Sequence, residues 1–102
     1  MALDFSIKNN HGVVINKIPI GIDDFYDILE IAKTFDPPLP LIGRLKDYYE
    51  EEEFWILELP QLKEELHKVY GKSDEKLKIT QLLILLCDMA ILYNTTICVI
   101  PD

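Results

Sequence analysis

Glycine, cysteine, histidine and long apolar runs are all scarce in this chain: 102 residues contain 4 glycines, 2 cysteines and 2 histidines. So few glycines leave no phosphate-cradling loop or dinucleotide fingerprint, and no nucleophile elbow occurs. The two cysteines, Cys87 and Cys98, have no metal-ligand spacing around them and are expected to be reduced, buried thiols. The most lipid-like run, Leu82 to Cys87, stops at Asp88, far short of the ~20 residues a membrane-spanning helix needs. It reads instead as part of a buried core helix. No basic segment leads from Met1 into an apolar stretch, so no secretory signal and a cytoplasmic location are expected. Cations are also short, with 10 Lys and Arg against 18 Asp and Glu and a formal charge of −8. A field of that sign repels nucleic acid and anionic lipid, so neither nucleic acid nor membrane is expected as a partner, and a charged partner should be cationic.

What is present suits one domain over residues 1–102. Hydrophobic residues make up 49% of the chain and charged residues 27%, enough for one core and an ordinary surface without disulfide or metal. Leu3, Phe5 and Ile7 alternate with Asp4, Ser6 and Lys8, and Asn9-Asn10-His11-Gly12 then separates them from Val13-Val14-Ile15. That is a hairpin signal ending at Pro19 and Gly21. Asp23 or Asp24 can cap a helix with Phe25, Ile28, Leu29 and Ala32 on one face, closed before Asp36-Pro37-Pro38.

Leu41, Ile42, Leu45, Tyr48 and Tyr49 then fall at helical spacing and predict a second helix, fraying near Glu50 to Glu52, where negative charge opposes its dipole. A third helix is expected from Leu59 or Pro60 to Tyr70, with Gly71 just past its end. The fourth should begin after Ser73, with Asp74 and Glu75 in its first turn, and run to Tyr93. Its stripe is Leu77, Leu82, Leu83, Leu86, Met89, Ala90 and Tyr93, widened by Ile79, Ile84, Leu85 and Ile91, which makes it the central helix. Thr95 to Ile100 is rich in branched residues and ends at Pro101, a final strand. The expected architecture is therefore α+β, about four helices packed on a small sheet of two N-terminal strands and one C-terminal strand.

Chemistry-bearing residues concentrate in one place. Between Lys46 and Leu66 eight carboxylates stand against two lysines, so this stretch carries −6 of the formal −8. Within it Asp47-Tyr48-Tyr49-Glu50-Glu51-Glu52-Glu53-Phe54-Trp55 sets aromatic rings in a dense negative field. Rings supply buried anchoring area and carboxylates accept hydrogen bonds from Arg and Lys, so the nine residues are the candidate partner-binding site. The same segment also reads as a solvated turn whose Tyr48, Phe54 and Trp55 tuck under the domain.

Catalytic and metal sites are not expected. Glu64 and His67 have a Glu-x-x-His spacing, but a helical di-metal site needs a second such pair and two more glutamates. The other histidine, His11, falls in the hairpin turn. Cys87 lies in the most apolar helix with no histidine near it in sequence. No cofactor is implied, and the chain reads as a non-enzyme.

Leu41-Ile42-Gly43-Arg44-Leu45-Lys46-Asp47-Tyr48-Tyr49-Glu50, followed by Phe54 and by Leu59-Pro60-Gln61-Leu62-Lys63-Glu64-Glu65-Leu66, resembles the small acidic bacterial immunity proteins of polymorphic or contact-dependent toxin systems. A strand like Leu3-Asp4-Phe5 at one end and one like Ile97 to Asp102 at the other extend the likeness over most of the chain. The resemblance implies stoichiometric neutralisation of a cognate toxin, a basic protein such as a nuclease. The alternative is a small cytoplasmic regulatory or adaptor domain that binds another basic protein.

Overall fold

The computed structural model describes residues 2–74 and 77–101. Four strands form one antiparallel sheet: β1 (Leu3–Lys8), β2 (Val14–Ile20), β3 (Glu52–Phe54) and β4 (Ile97–Pro101), in the order β2-β1-β4-β3. Three α-helices, α1 (Ile22–Lys33), α2 (Leu59–Lys72) and α3 (Lys78–Leu92), complete an α+β fold. This corrects the expected four helices on three strands.

The N-terminal hairpin forms where alternation places it. Asn9 Oδ1 accepts the backbone N–H groups of His11 and Val13, and Gly12 takes φ +76°, a left-handed turn that suits a residue without Cβ. Pairing continues past the expected end, with Pro19 opposite Asp4 and Ile20 opposite Leu3. Cross-strand partners share a face. Leu3, Phe5, Ile7, Ile20, Ile97, Val99 and Phe54 therefore point together into the core, where α1 adds Phe25, Ile28 and Leu29 and α2 adds Leu62, Leu66 and Val69. Asp4, Ser6, Lys8, Cys98, Ile100 and Glu53 alternate onto the opposite face. There Lys17 Nζ reaches Asp4 at 3.7 Å.

The predicted second helix is absent. Only Ile42–Arg44 makes a short 3-10 turn, and Leu45 leaves helical geometry at ψ 75°. Leu41, Ile42, Leu45 and Tyr48 are nevertheless all buried, so the apolar spacing was a true sign of burial and a false sign of helix. The segment is pinned by contacts distant in sequence. Both oxygens of the buried Glu65 carboxylate accept the Leu41 N–H, at 3.0 and 3.2 Å, and Oε1 also takes that of Ile42 at 2.9 Å. Tyr48 donates its hydroxyl to the Ile20 carbonyl at 2.9 Å and packs edge-on against Phe25. Released from helix, the glutamates adopt a period of two, and β4 offers an edge on which Phe54 pairs with Ile97 and disappears into the core.

Helix bounds shift for similar reasons. Gly21, not Asp23 or Asp24, stands at the N-cap of α1, with both aspartates in its first turn, where carboxylates favour the helix dipole. α2 runs on through Gly71 to Lys72, and Ser73, expected to start the next helix, closes α2 by donating its N–H to the Val69 carbonyl. α3 begins only at Lys78, and Glu75, expected in its first turn, lies outside the described residues. Its buried face is Thr80, Leu83, Ile84, Leu86, Cys87 and Ala90. Leu82, Leu85 and Tyr93, expected in the core, are exposed. Among the described residues no helix is long and apolar enough to cross a membrane.

Candidate partner-binding surface

The nine residues from Asp47 to Trp55 do not form one face. Tyr48 and Phe54 are core residues, whereas Tyr49 and Trp55 project into solvent, Trp55 at 61% exposure. Asp47, Glu50, Glu51 and Glu53 are exposed and Glu52 is half-buried. Strand pleating explains the split: Phe54 follows the inward side of β3, and Glu53 takes the outward one. The reading in which Trp55 tucks under the domain is corrected, and Tyr48 and Phe54 leave the candidate surface.

Arg44 organises this region. Its guanidinium donates through Nη2 to Glu52 Oε1 at 2.9 Å and to the Glu53 carbonyl at 2.6 Å, and through Nη1 to Glu58 Oε2. It also lies over the Phe54 ring, 5.0 Å from the centroid. A planar fork of five donors reaches two carboxylates and a carbonyl at fixed, well-separated angles, whereas an ammonium offers three donors from a single point. The hydrogen bond to Glu52 leads in holding the Arg44 guanidinium above its usual value, against the opposing effect of burial. Burial pushes the Glu52 carboxyl up, but the Arg44 hydrogen bond, the Glu53 N–H and the Arg44 charge outweigh it and leave the group below the ordinary glutamate value.

Several acids of the run are thus committed internally. Arg44 holds Glu52 and Glu58, Glu65 pins the Leu41 turn, and Glu64 sits 4.0 Å from Lys68. Among the described residues no cation pairs with Asp47, Glu50, Glu51 or Glu53. Those four form the free negative field.

A groove of about 410 Å³ opens beside them on the sheet face turned away from the helices. Lys8, Glu51, Glu53, Trp55, Cys98 and Ile100 are among its walls. Trp55 is held at its rim by a closed turn: its N–H donates to Glu58 Oε1 at 3.0 Å while the Glu58 N–H donates to the Trp55 carbonyl at 2.8 Å. Two residues on, Leu57 is 93% exposed. Sequence reasoning missed Leu57, Cys98 and Ile100. Nothing in the spacing of Ile56-Leu57-Glu58-Leu59 separates the outward leucine from its buried neighbour, and Cys98 and Ile100 become outward only through the register of β4.

Both sheet edges carry features that hinder strand addition. On β3 the Glu53 N–H donates to Glu52 Oε1 and its carbonyl accepts from Arg44. On β2 the Lys17 N–H donates to Asn16 Oδ1, and Pro19 has no N–H to offer. Such devices blunt edge-to-edge pairing, which favours recognition through side chains. The thiols differ from the expected buried pair. Burial, with Asp88 adding to it, pushes the Cys87 thiol up to about 12, whereas Cys98 is only partly buried in the groove. His67 and Glu64 are both exposed, and among the described residues no three His, Cys, Asp or Glu side chains come together to hold a metal. Compared with known proteins, the chain matches no family model, no curated protein and no solved structure.

Proposed function

We propose that this chain is an acidic protein-binding domain of the immunity type, neutralising a basic toxin protein by stoichiometric binding rather than by catalysis. The observation that carries the reading is the exposure of Tyr49, Trp55 and Leu57 next to four carboxylates that no cation among the described residues pairs with. Exposed large apolar side chains rimmed by charge are what a recognition surface needs: rings and leucine slow dissociation, and carboxylates draw in the cationic partner. The groove beside Trp55 can seat an Arg or Lys side chain over the indole, with Glu51 and Glu53 at its end. On a nuclease that grips phosphates, the same carboxylates stand in for the phosphate charges.

The test is co-expression with the product of the neighbouring reading frame, followed by binding measurements on the purified pair. Rescue of growth is expected, with an association rate that falls as salt rises. Glu51→Gln with Glu53→Gln should slow association on the order of 10-fold at low ionic strength. Trp55→Ala with Leu57→Ala should chiefly speed dissociation, costing about 2–4 kcal/mol. Tight binding without growth rescue would favour the adaptor alternative. Binding unaffected by both double variants would remove this surface from the interface.

A further inference from the structure

The outer side of α3 has no place in the surface just described. Leu82, Leu85, Met89 and Leu92 follow one another at intervals of three, four and three residues, a line of neighbours along one side of a helix. That line lies opposite the buried Thr80, Leu83, Cys87 and Ala90. Leu82 is 46%, Leu85 58% and Leu92 78% exposed, and Met89 is half-buried beside Asn16 of β2. A helix apolar on both sides ordinarily has both sides covered. Here the chain covers only one.

We infer that a second copy of this chain covers the other, the two α3 helices packing antiparallel about a two-fold axis. Three features of the molecule select that occupant. The interval pattern reads the same from either end, so a two-fold sets Leu82 against Leu92 of the second copy and Leu85 against its Met89, the self-complementarity an isologous interface requires.

Charge agrees with the antiparallel sense. The first turn of α3 holds Lys78 and no acid, which its own dipole disfavours, whereas the antiparallel arrangement brings Lys78 to the C-terminal carbonyls of the other helix. The one acid on α3, Asp88, is paired with Lys63 at 2.6 Å, and the free carboxylates of the candidate surface stay clear of the contact. α3 lies over β2 and β1, while the free carboxylates flank β3 at the far edge of the sheet. Two to three strand spacings, ~10–14 Å, exceed the ~8 Å over which exposed charges act at physiological salt.

Area is sufficient as well. The exposed fractions of Leu82, Leu85, Leu92 and Tyr93 amount to roughly 500 Å² per copy, so full coverage buries up to about 1,000 Å² in a pair, and the polar rim of the contact carries the total past the ~1,000 Å² that a specific interface needs.

Sedimentation of the full chain, loaded from about 1 to about 100 µM, the range in which an interface of this size dissociates, tests the inference. A monomer–dimer equilibrium is expected, unweakened by added salt. Leu85→Glu and Leu92→Glu, at positions already facing solvent in the monomer, should each be monomeric throughout with an unchanged far-UV circular dichroism spectrum. Lys78→Glu should weaken the dimer several-fold, and Trp55→Ala should leave it intact. A wild-type chain that stays monomeric at the highest concentration, or a dimer indifferent to both leucine substitutions, would overturn the proposal. A dimer that tightens with Lys78→Glu would overturn its antiparallel sense.

Discussion

Replacing Arg44 with Met removes one guanidinium while keeping much of the apolar stem that lies over Phe54. Two carboxylates, Glu52 and Glu58, and the Glu53 carbonyl lose their shared donor. The Arg44 side chain is 32% exposed and each glutamate partner 27%, which sets the magnitude between two limits. Exposed ion pairs contribute roughly 0.2–1 kcal/mol, and breaking a fully buried pair costs about 3–5 kcal/mol. The expected loss is about 2 kcal/mol, or roughly 10 °C in melting temperature for a chain of this length. Arg44→Lys keeps the charge without the fork and should recover less than half of it.

Urea denaturation at a series of pH values is the assay. The folded-state value of Glu52 lies below the ordinary glutamate value of 4.5. Its contribution to stability is therefore complete above that value and fades as pH falls through the lower folded-state value. Wild type and Arg44→Met should differ by the full amount at pH 7, and the difference should shrink as acid protonates the Glu52 carboxylate below its ordinary range. A difference under ~0.5 kcal/mol at pH 7, the scatter of an ordinary surface substitution, would refute the reasoning. A difference that persists undiminished in acid would do the same, because it would place the effect in packing rather than in the ion pairs.

The remaining expectations concern other parts of the molecule. Glu65→Ala should cost about 2–4 kcal/mol by stranding the buried Leu41 and Ile42 N–H groups, and hydrogen exchange at those two amides should accelerate; unchanged protection there would contradict the capping role. Phe54→Ala should cost about 3–5 kcal/mol as a cavity in the core, so loss of binding in that variant should track loss of fold in a thermal melt. Trp55, the sole tryptophan, should emit as a solvated indole and shift to the blue when a partner covers it; a blue emission in the free protein would place the ring inside. With a disulfide reagent at pH 8, Cys98 should react in the folded protein. Cys87, with its thiol near 12, should react only on unfolding, and equal rates for the two would show that α3 opens readily.

Much of the fold is legible along the chain because local signals and burial agree there. The hairpin, α1, α2 and β4 each combine a periodic pattern with suitable punctuation, and each appears within a few residues of its predicted position. The misreadings share a cause. At Leu41 to Tyr48 apolar spacing identified the buried side chains correctly, but an irregular chain fastened by Glu65 and Tyr48 buries the same set. At Glu52 to Phe54 three residues are too few to declare a strand, and β3 exists because β4 offers an edge and the core has room for Phe54. For α3, hydrophobicity on every side predicts burial on every side, but a helix over a four-stranded sheet has one side left over.

The amino-acid order alone determined the α+β class, the net negative charge and its concentration around residues 47–65, since these depend on composition and on neighbours a few positions apart. Only the tertiary structure decided which acids are free and which are held by Arg44 or buried with Glu65, and which rings face outward. Those outcomes depend on pairings far apart in sequence, such as Glu65 with Leu41, Tyr48 with Ile20 and Phe54 with Ile97, and the close packing that selects among them has no signature at the spacing of a single turn or strand.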